Sequence, residues 1–536
     1  MGAFLPSSGS AKFPTFARLF RWFFTWRTLG RVLVGFAALV TLIGIFYGEE
    51  NWRGQRAWNK YRRELESRGV QLDYQALWPK AVPDDQNFAA TPLIQTWFEK
   101  PYGADFNKRW KDSFSRARRQ VQSYRGAINK QQFMDLVAWE RAFAAIRAGE
   151  LISRSPRQKD SALNKLDLGS RAKAALGVLE ELRTNDVIFA ELGAASQRPF
   201  SRYPIKYNLE DPWGILLPHL AEIKGICVWL QLKACAELAA GQSENALEDV
   251  KLGLYMGDSV KGEPVLISYL VRIACFRIAT QPIWEGLAEH RWSDAQLQEL
   301  QTRLHQYDFV ADLKRTLAAE RAAAILTADL LFRGKYRLSE LSDETGTGEV
   351  MGEAIFQIAP HGWYYKEQLN YCRLFDTLFG TGLDTTQKQV LPSQIESNFH
   401  ELERMLSPRR SGFSAIFHHR AIAGLLLPSL ANVLRKSAEA QTLANQGALA
   451  CALEQYRLSH GQFPDQLEAL TPQFISQLPN DAITGKPYKY RRADRGQFVL
   501  YSVGWNEKDD GGTVALQKDG SLDLKNGDWV WEYPAK

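Results

Sequence analysis

The longest uncharged apolar run in the chain covers residues 32–48 (VLVGFAALVTLIGIFYG), between Arg31 and Glu49. At 1.5 Å per residue, a helix of this length is at the short end of what spans a hydrocarbon core of about 30 Å. Aromatic residues, which are enriched at membrane–water interfaces, flank the run: Trp22, Trp26, Tyr47 and Trp52. The sequence therefore predicts a transmembrane helix over residues 32–48.

The charges before this run predict its orientation. Residues 1–31 contain no acidic residue and five basic ones: Lys12, Arg18, Arg21, Arg27 and Arg31. Because cytoplasmic flanks of membrane helices are enriched in Lys and Arg, residues 1–31 are predicted to be a cytoplasmic tail. The chain would then be a single-pass protein of the cell inner (cytoplasmic) membrane, with its bulk extracytoplasmic.

Two alternatives to this anchor remain, a cleaved signal peptide and a buried core helix. A signal peptide is disfavoured because 31 residues precede the apolar run and no small-x-small cleavage site follows it.

The net charge of +6 belongs almost entirely to this tail, since the rest of the chain holds 61 basic and 60 acidic residues. A body of nearly zero net charge argues against nucleic acid as a partner. One segment of the body departs from this balance of charge: residues 107–130 hold eight basic residues and one acidic residue. A solvated helix face is the preferred interpretation of that stripe, and an anionic polymer or lipid headgroup is the alternative.

Residues 49–410 are predicted to form an outward-facing helical body, because apolar residues recur there at three- and four-residue spacing. Residues 235–250 suggest a helical hairpin like those of tetratricopeptide repeats, although too few copies occur to predict an array. Residues 334–352 are polar and rich in Gly, and are predicted to be a loop. The predicted helices cover residues 131–149, 169–192, 214–241, 243–259, 264–288, 293–307 and 308–332.

The last 50 residues change from helical to alternating periodicity, with Gly, Asp and Asn between short runs. This pattern predicts a small antiparallel sheet of three to five strands. The fold class is therefore mainly α: an N-terminal transmembrane helix, a helical-hairpin body and a small C-terminal α+β module over residues 411–536. The predicted strands are Tyr488–Arg491, Gln497–Val503, Thr513–Leu516, Ser521–Leu524 and Asp528–Tyr533.

Several ordered signatures occur between Gly424 and Gly512: a helix with an early Pro, a Gly-Gln-Phe-Pro stop, a Gly-x-Pro-Tyr-x-Tyr turn and a Tyr-Ser-x-Gly strand end. In this order they resemble the type II secretion major pseudopilin and, more loosely, type IV pilin-like proteins. The resemblance covers about 110 of the 536 residues and implies a helix packed on a small sheet. The matching residues are Pro428, Leu449, Leu453, Tyr456, Gly461, Phe463, Pro464, Gly485, Pro487, Tyr488, Tyr490, Tyr501, Ser502 and Gly504.

The chain also departs from that family. The family's N-terminal processing sequence is missing before Gly424, and the uncharged run 421–434 is too short to span a membrane. The resemblance therefore implies a pseudopilin-like fold used as a C-terminal module, and argues against polymerisation into a fibre.

In that family, the loop after the Tyr-Ser-x-Gly strand binds calcium, and Asn506, Asp509 and Asp510 occupy the matching loop, with Asp519 and Asp523 nearby. Hard oxygen ligands in a Gly-ended loop suit Ca²⁺ at about 2.3–2.6 Å. The resemblance thus implies a calcium site at Asn506, Asp509 and Asp510. The alternative is a polar turn built from residues that tolerate turn geometry.

No catalytic motif is present in the sequence: there is no HExxH, GxSxG, P-loop or GxGxxG, so no catalytic residue is predicted. The leading hypothesis is a membrane-anchored extracytoplasmic scaffold or interaction protein of the cell envelope, with a protein partner of unknown identity. One alternative is a membrane-anchored hydrolase with its active site in the helical body. The other is a component of a secretion or pilus-like assembly.

Overall fold

The structure is a computed structural model that describes residues 26–99, 114, 116–118, 121, 132–148, 168–337, 357–406, 418–493, 496–518 and 521–533. The protein is mainly helical (65%), with a long apolar helix near the N-terminus and small antiparallel sheets near the C-terminus, which confirms the predicted fold class. The helices are α1 (Trp26–Ser67), α2 (Pro92–Gln95), α3 (Leu136–Arg147), α4 (Leu168–Leu182), α5 (Asp186–Ala195), α6 (His219–Ala239), α7 (Ser243–Asp258), α8 (Leu266–Ala288), α9 (Asp294–His305), α10 (Phe309–Phe332), α11 (His361–Gly380), α12 (Pro392–Leu406), α13 (Ala421–Leu426) and α14 (Ala431–His460). The strands are β1 (Leu383–Asp384), β2 (Gln389–Val390), β3 (Lys489–Ala493), β4 (Gln497–Ser502), β5 (Val514–Leu516), β6 (Leu522–Gly527) and β7 (Trp529–Trp531).

Helix α1 has two halves in different surroundings. Its first half is apolar and exposed, and Val34 and Phe36 leave 70% and 64% of their surface open. By length and composition this half is either a membrane anchor or a signal sequence. Helix α8 is also long and apolar enough to cross a membrane, but 61% of its apolar window is buried, as in the core helix of a soluble domain.

The second half of α1 packs against α11 at a contact between two glycines, Gly54 and Gly362. A Cβ atom on Gly362 would overlap the carbonyl oxygen of Glu50, so only Gly allows the two backbones to approach this closely. Polar contacts surround this contact: Asn51 Oδ1 accepts a hydrogen bond from Gly362 N, and Glu50 pairs with Lys366. The exposed apolar half and the body are therefore joined by one continuous helix.

Helices α6, α7 and α8 pack against one another, and the short connections between them fit a helical-hairpin body. Gly241, between α6 and α7, has a φ of 78°, a left-handed conformation that favours Gly. Helix α9 begins with a capping box, in which Ser293 and Gln296 each accept a hydrogen bond from the other's backbone N–H. Asp308 caps α10 by accepting from Ala311 N.

The buried apolar residues that the structure describes form two large clusters that meet at α6, α7 and α8. One cluster includes Trp139 and Trp229 and joins Phe88, Phe114 and Phe143 to α4, α5 and α6. The other cluster surrounds α14 and extends from Trp58 to Trp531, so the helical body and the C-terminal strands share it.

Helix α14 lies between the body and the C-terminal strands. A Cβ atom on Gly447 would lie 3.0 Å from Leu304 of α9 and 3.5 Å from Trp531 of β7, so both side chains pack closely against this glycine. Gln446 Nε2 donates to the carbonyl oxygen of Trp529, and Tyr269 donates to Ser437 Oγ. The helix ends at Gly461, whose φ of 77° is a left-handed C-cap.

The C-terminal strands form a three-stranded antiparallel sheet in the order β3–β4–β7 and a two-stranded sheet of β5 and β6. In the register of these strands, Lys489 of β3 lies opposite Tyr501 of β4, and Leu500 of β4 lies opposite Trp531 of β7. The inward residues of β4 are almost fully buried, and β4 and β7 both contact α14. This agrees with the small antiparallel sheet that the alternating sequence predicts.

Four of the predicted segments and boundaries differ from the described structure or lie partly or wholly outside it. The helix predicted over residues 169–192 is interrupted by a 3₁₀ turn at Arg183–Asn185 and forms α4 and α5. The predicted loop lies outside the described residues from residue 338 onward, as does most of the basic stripe at 107–130. The boundary predicted at residue 411 also lies outside them, and the domain division stays a prediction.

We expect Gly362→Ala to destabilise the protein by about 1–3 kcal/mol, because the added methyl group forces the two backbones apart. Gly380→Ala on the same helix is the matched control, since nothing lies within 4 Å of its Cβ position, and about 0–1 kcal/mol of stabilisation is expected there. The measurement is chemical denaturation of the detergent-solubilised chain. Equal stability of the two variants would contradict the glycine contact.

Candidate functional site

The predicted calcium ligands lie in the loop after β4, and the structure brings only two of them together. Asn506 Nδ2 donates to Asp510 Oδ2 at 3.4 Å. Asp509 turns towards the sheet, where its Oδ1 accepts hydrogen bonds from Tyr501 (3.1 Å) and from the backbone N–H of Gly511 (3.1 Å). The Gly511 N–H and Tyr501 lower the pKa of the Asp509 carboxyl below its usual range.

The residue that organises this loop is Asp528, which is not among the ligands predicted from the sequence. Its carboxylate accepts hydrogen bonds from the backbone N–H groups of Asp510 (3.3 Å), Gly512 (2.6 Å) and Thr513 (3.3 Å). Burial raises the pKa of Asp528 despite these donors. The only signal in the sequence was an Asp directly before the aromatic strand β7.

A calcium site in this loop stays a prediction. Among the described residues, no group of three or more His, Cys, Asp or Glu side chains is placed to hold a metal ion. Lys489 lies 3.6 Å from Asp509 and partly balances its charge. Asp523 accepts from Asn526 and from Lys525 N, whereas Asp519 lies outside the described residues.

A separate feature of the helical body is a large pocket, here called the α6–α7 pocket. It is lined by α4, α5, α6 and α7 and bounded by Arg303 of α9, and its volume is about 900 Å³. Ligand pockets commonly have about 300–1,000 Å³. The pocket is therefore large enough for a small molecule.

Three charged side chains from α6 and α7 form the inner wall of this pocket. Lys233 Nζ donates to Glu237 Oε1 at 2.9 Å and to Asp249 Oδ2 at 2.7 Å. The side chains of Glu237 and Asp249 are 4% and 9% exposed, whereas that of Lys233 is 17% exposed. One ammonium group thus holds two buried carboxyl groups side by side.

The pKa values of this cluster follow from burial and from the shared charge. Burial raises the pKa of Glu237, and the neighbouring Asp249 carboxylate raises it further, to about 8. Burial also raises the pKa of Asp249. Burial alone would lower the pKa of Lys233, but Asp249 and Glu237 raise it above its usual range. Near neutral pH Glu237 therefore retains its proton, and Lys233 stays charged.

Local sequence explains why these groups meet. Lys233 and Glu237 are four residues apart and lie on one face of α6, and the short turn at Gly241 brings Asp249 of α7 opposite them. The rest of α6 is almost entirely buried. Charged residues within an otherwise buried helix were the available signal, but the periodicity of this segment predicts only a hairpin.

Comparison with known proteins adds no family to this description. No protein-family model matches the chain, and neither a curated protein nor a solved structure matches it. The similarity to pseudopilins therefore rests on the residues quoted above.

We expect the Glu237→Gln variant to gain stability relative to the wild type as pH rises. Folding raises the pKa of Glu237 from 4.5 to about 8. The contribution of this carboxyl group to the free energy of unfolding is therefore fully present below about pH 4.5 and is lost as pH rises through 8. Between these two pH values, the free energy of unfolding of the wild type falls by up to about 1.4 kcal/mol per pH unit. The Gln side chain does not titrate, so the variant does not lose this stability.

The measurement is chemical denaturation of both proteins at about pH 5 and about pH 8. Glu191→Gln is the matched control, because Glu191 is exposed on α5 and does not line the pocket. A stability difference between wild type and Glu237→Gln that does not change with pH would contradict the raised pKa of Glu237.

For the C-terminal loop, the expected result is a calcium-dependent rise in melting temperature. A ligand at a hundred times its Kd adds about 2.7 kcal/mol to the domain that binds it. The full chain is melted with calcium, with magnesium and with excess chelator, and the shift should disappear in the Asp509→Ala/Asp510→Ala variant. Identical melting with calcium and with chelator would show that the loop is only a polar turn.

Proposed function

We propose that the protein is a single-pass, membrane-anchored scaffold or interaction protein of the cell envelope. Residues 1–31 face the cytoplasm, residues 32–48 cross the inner membrane, and the body lies outside. The partner is another protein.

The observation that carries this proposal is the continuity of α1. Its exposed apolar half leads, without a break, into a half that packs on α11. Tyr47, at the junction, donates a hydrogen bond to the carbonyl oxygen of Ile358. Cleavage after the apolar run would cut a continuous helix where it already contacts the body, which favours an anchor over a signal peptide.

A second support is the electrostatic pairing next to this junction. Glu50 accepts hydrogen bonds from Lys366 and from Trp363 Nε1. Burial would raise the pKa of Glu50, but the ammonium of Lys366 holds it below its usual range. His419 packs edge-on against Trp363, and burial lowers its pKa to about 4. The end of the anchor is thus fixed by packing and by charge.

The C-terminal module serves, in this proposal, as a pseudopilin-like cap and contact surface. This role is supported by α14, which ends at Gly461 in a left-handed C-cap conformation and packs on the antiparallel sheet. In this chain α14 is also covered by α8, α9 and α10. Since this helix is buried on both sides, the geometry favours a cap over a fibre-forming subunit of a secretion or pilus-like assembly.

The hydrolase alternative has one feature in its favour, the carboxyl pair in the α6–α7 pocket, because convergent groups with shifted pKa values often mark active sites. However, Lys233 already donates to both carboxyl groups. No His or Cys is among the described residues that line the pocket, and the hydroxyl of Ser196 donates to Gly193 O. The scaffold is therefore better supported than the hydrolase.

Cysteine labelling of intact cells tests the anchor and its orientation. The five native cysteines are buried and unpaired, so they give a low background. Ser7→Cys places a thiol in the tail, and Thr302→Cys places one on the exposed side of α9. We expect a membrane-impermeant maleimide to label spheroplasts only at Thr302→Cys, on a full-length chain of 60.8 kDa.

Ser7→Cys should be labelled only after the membrane is broken. A shortened chain without the tail would show a cleaved signal peptide. Labelling of Ser7→Cys in intact spheroplasts would show the opposite orientation, and either result contradicts the proposal.

A further inference from the structure

The second half of α1 has one face packed on α11 and an opposite face exposed to solvent. Gly54 and Trp58 belong to the packed face. Because a helix has 3.6 residues per turn, positions three and four apart lie on the same face. This spacing joins four exposed residues, here called the basic face of α1: Trp52, Arg56, Lys60 and Arg63.

The charges of the basic face have no acidic partner in the described part of the chain. Elsewhere on α1, Arg53 pairs with Glu49. Among the described residues, no carboxylate forms an ion pair with a residue of the basic face, and the exposed Glu64 lies about 80° round the helix from Arg56. The Arg56 guanidinium lies over the ring of Trp52, 5.2 Å from its centroid. Three unbalanced positive charges on one face favour an anionic partner.

The continuity of α1 places this face next to the membrane. The apolar run ends at Gly48, and a helix rises 1.5 Å per residue. If α1 is perpendicular to the bilayer, Trp52 lies about 6 Å beyond the run, Arg56 about 12 Å and Arg63 about 22 Å. The headgroup layer extends about 5–8 Å beyond the hydrocarbon core. Trp52 is therefore within this layer, and the long side chain of Arg56 reaches it.

The body exposes an apolar side chain at the same level. Tyr47 donates a hydrogen bond to the carbonyl oxygen of Ile358, so Ile358 lies beside the end of the apolar run. Ile358 is 69% exposed and Trp52 is 60% exposed. Trp is enriched at membrane–water interfaces, and the surface of a bilayer would cover both side chains. The partner of the basic face is therefore the bilayer itself.

We propose that the basic face of α1 binds the headgroups of anionic phospholipids in the bilayer that holds the anchor. Their phosphate groups accept hydrogen bonds from Arg56 and Lys60, and Trp52 lies among the headgroups. Arg63 adds a weaker attraction, since charge effects fall off over a Debye length of about 10 Å. This inference rests on the membrane anchor of the proposed function, but not on the side of the membrane that the body occupies.

Native mass spectrometry of the full chain in a non-ionic detergent tests the proposal. The chain is titrated with dioleoyl phosphatidylglycerol, which is anionic, and separately with dioleoyl phosphatidylcholine, which is zwitterionic. We expect the anionic lipid to bind about fivefold more tightly or better, because one basic residue beside a charged membrane surface contributes about this factor. An apolar anchor alone gives no such preference.

Single variants test the dependence on depth. Arg56→Gln should weaken binding of the anionic lipid about fivefold, Lys60→Gln about twofold and Arg63→Gln less, because the attraction decreases with distance from the headgroups. All three positions are exposed, so the variants are expected to fold normally. Binding of phosphatidylcholine should not change in any of them.

Lys314→Gln is the matched control. Lys314 is exposed on α10, and the other end of this helix, at Phe332, contacts His361 of α11. Since 18 residues separate Lys314 from Phe332, the two lie about 27 Å apart along the helix. The control variant should bind both lipids like the wild type.

Three results would overturn the proposal: equal affinity of the wild type for the two lipids, unchanged binding by Arg56→Gln, or an equal loss at all three positions. The last result would indicate a soluble anionic polymer, which contacts the three charges alike. The same spectra separate this inference from the proposed function. A chain lighter than 60.8 kDa would show a cleaved anchor, whereas a full-length chain without a lipid preference contradicts only the lipid-binding role of the basic face.

Discussion

The close contact of Gly54 with Gly362 fixes how the first helix meets the rest of the molecule. It brings the backbones of α1 and α11 together, and Asn51 and Glu50 add hydrogen bonds on the same side. Because α1 continues from this contact into its exposed apolar half, the position of that half relative to the body is set by packing. A membrane-anchored scaffold needs this kind of connection, since a flexible linker would leave the body free to rotate.

At the other end of the chain, helix α14 connects the C-terminal strands to the helical body. It contributes a row of small buried residues, Ala440, Ala444 and Ala448 among them, which lets α9 and the C-terminal strands approach it closely. Gly447 is in contact with both. The C-terminal module is therefore built around a helix that also belongs to the body, and the apolar cluster around α14 continues from one to the other. In the proposed function, this shared helix is the reason that the C-terminal module would act as a cap and not as a fibre subunit.

Sequence periodicity predicted the helices from α3 to α10, with α4 and α5 as one helix, and the C-terminal sheet, since burial of one face determines both patterns. The sequence could not reveal contacts between distant segments. Gly54 and Gly362 are 308 positions apart, and neither has a local signature. In the α6–α7 pocket, Lys233 and Glu237 are close in sequence, but Asp249, which completes the charged cluster, comes from the next helix. In the C-terminal loop, the predicted ligands Asn506 and Asp510 do meet, whereas Asp509 faces the sheet and Asp528 orders the backbone.

Hydrogen exchange of backbone amides between Phe46 and Trp58 tests the central claim most directly, because it measures whether α1 opens at the junction. Exchange is followed by mass spectrometry on the full chain in lipid nanodiscs. We expect the amides of residues 47–56 to be as strongly protected as those of α11, since both belong to one packed unit. Rapid exchange over residues 47–52, with α11 still protected, would reveal a hinge between anchor and body and would contradict the account.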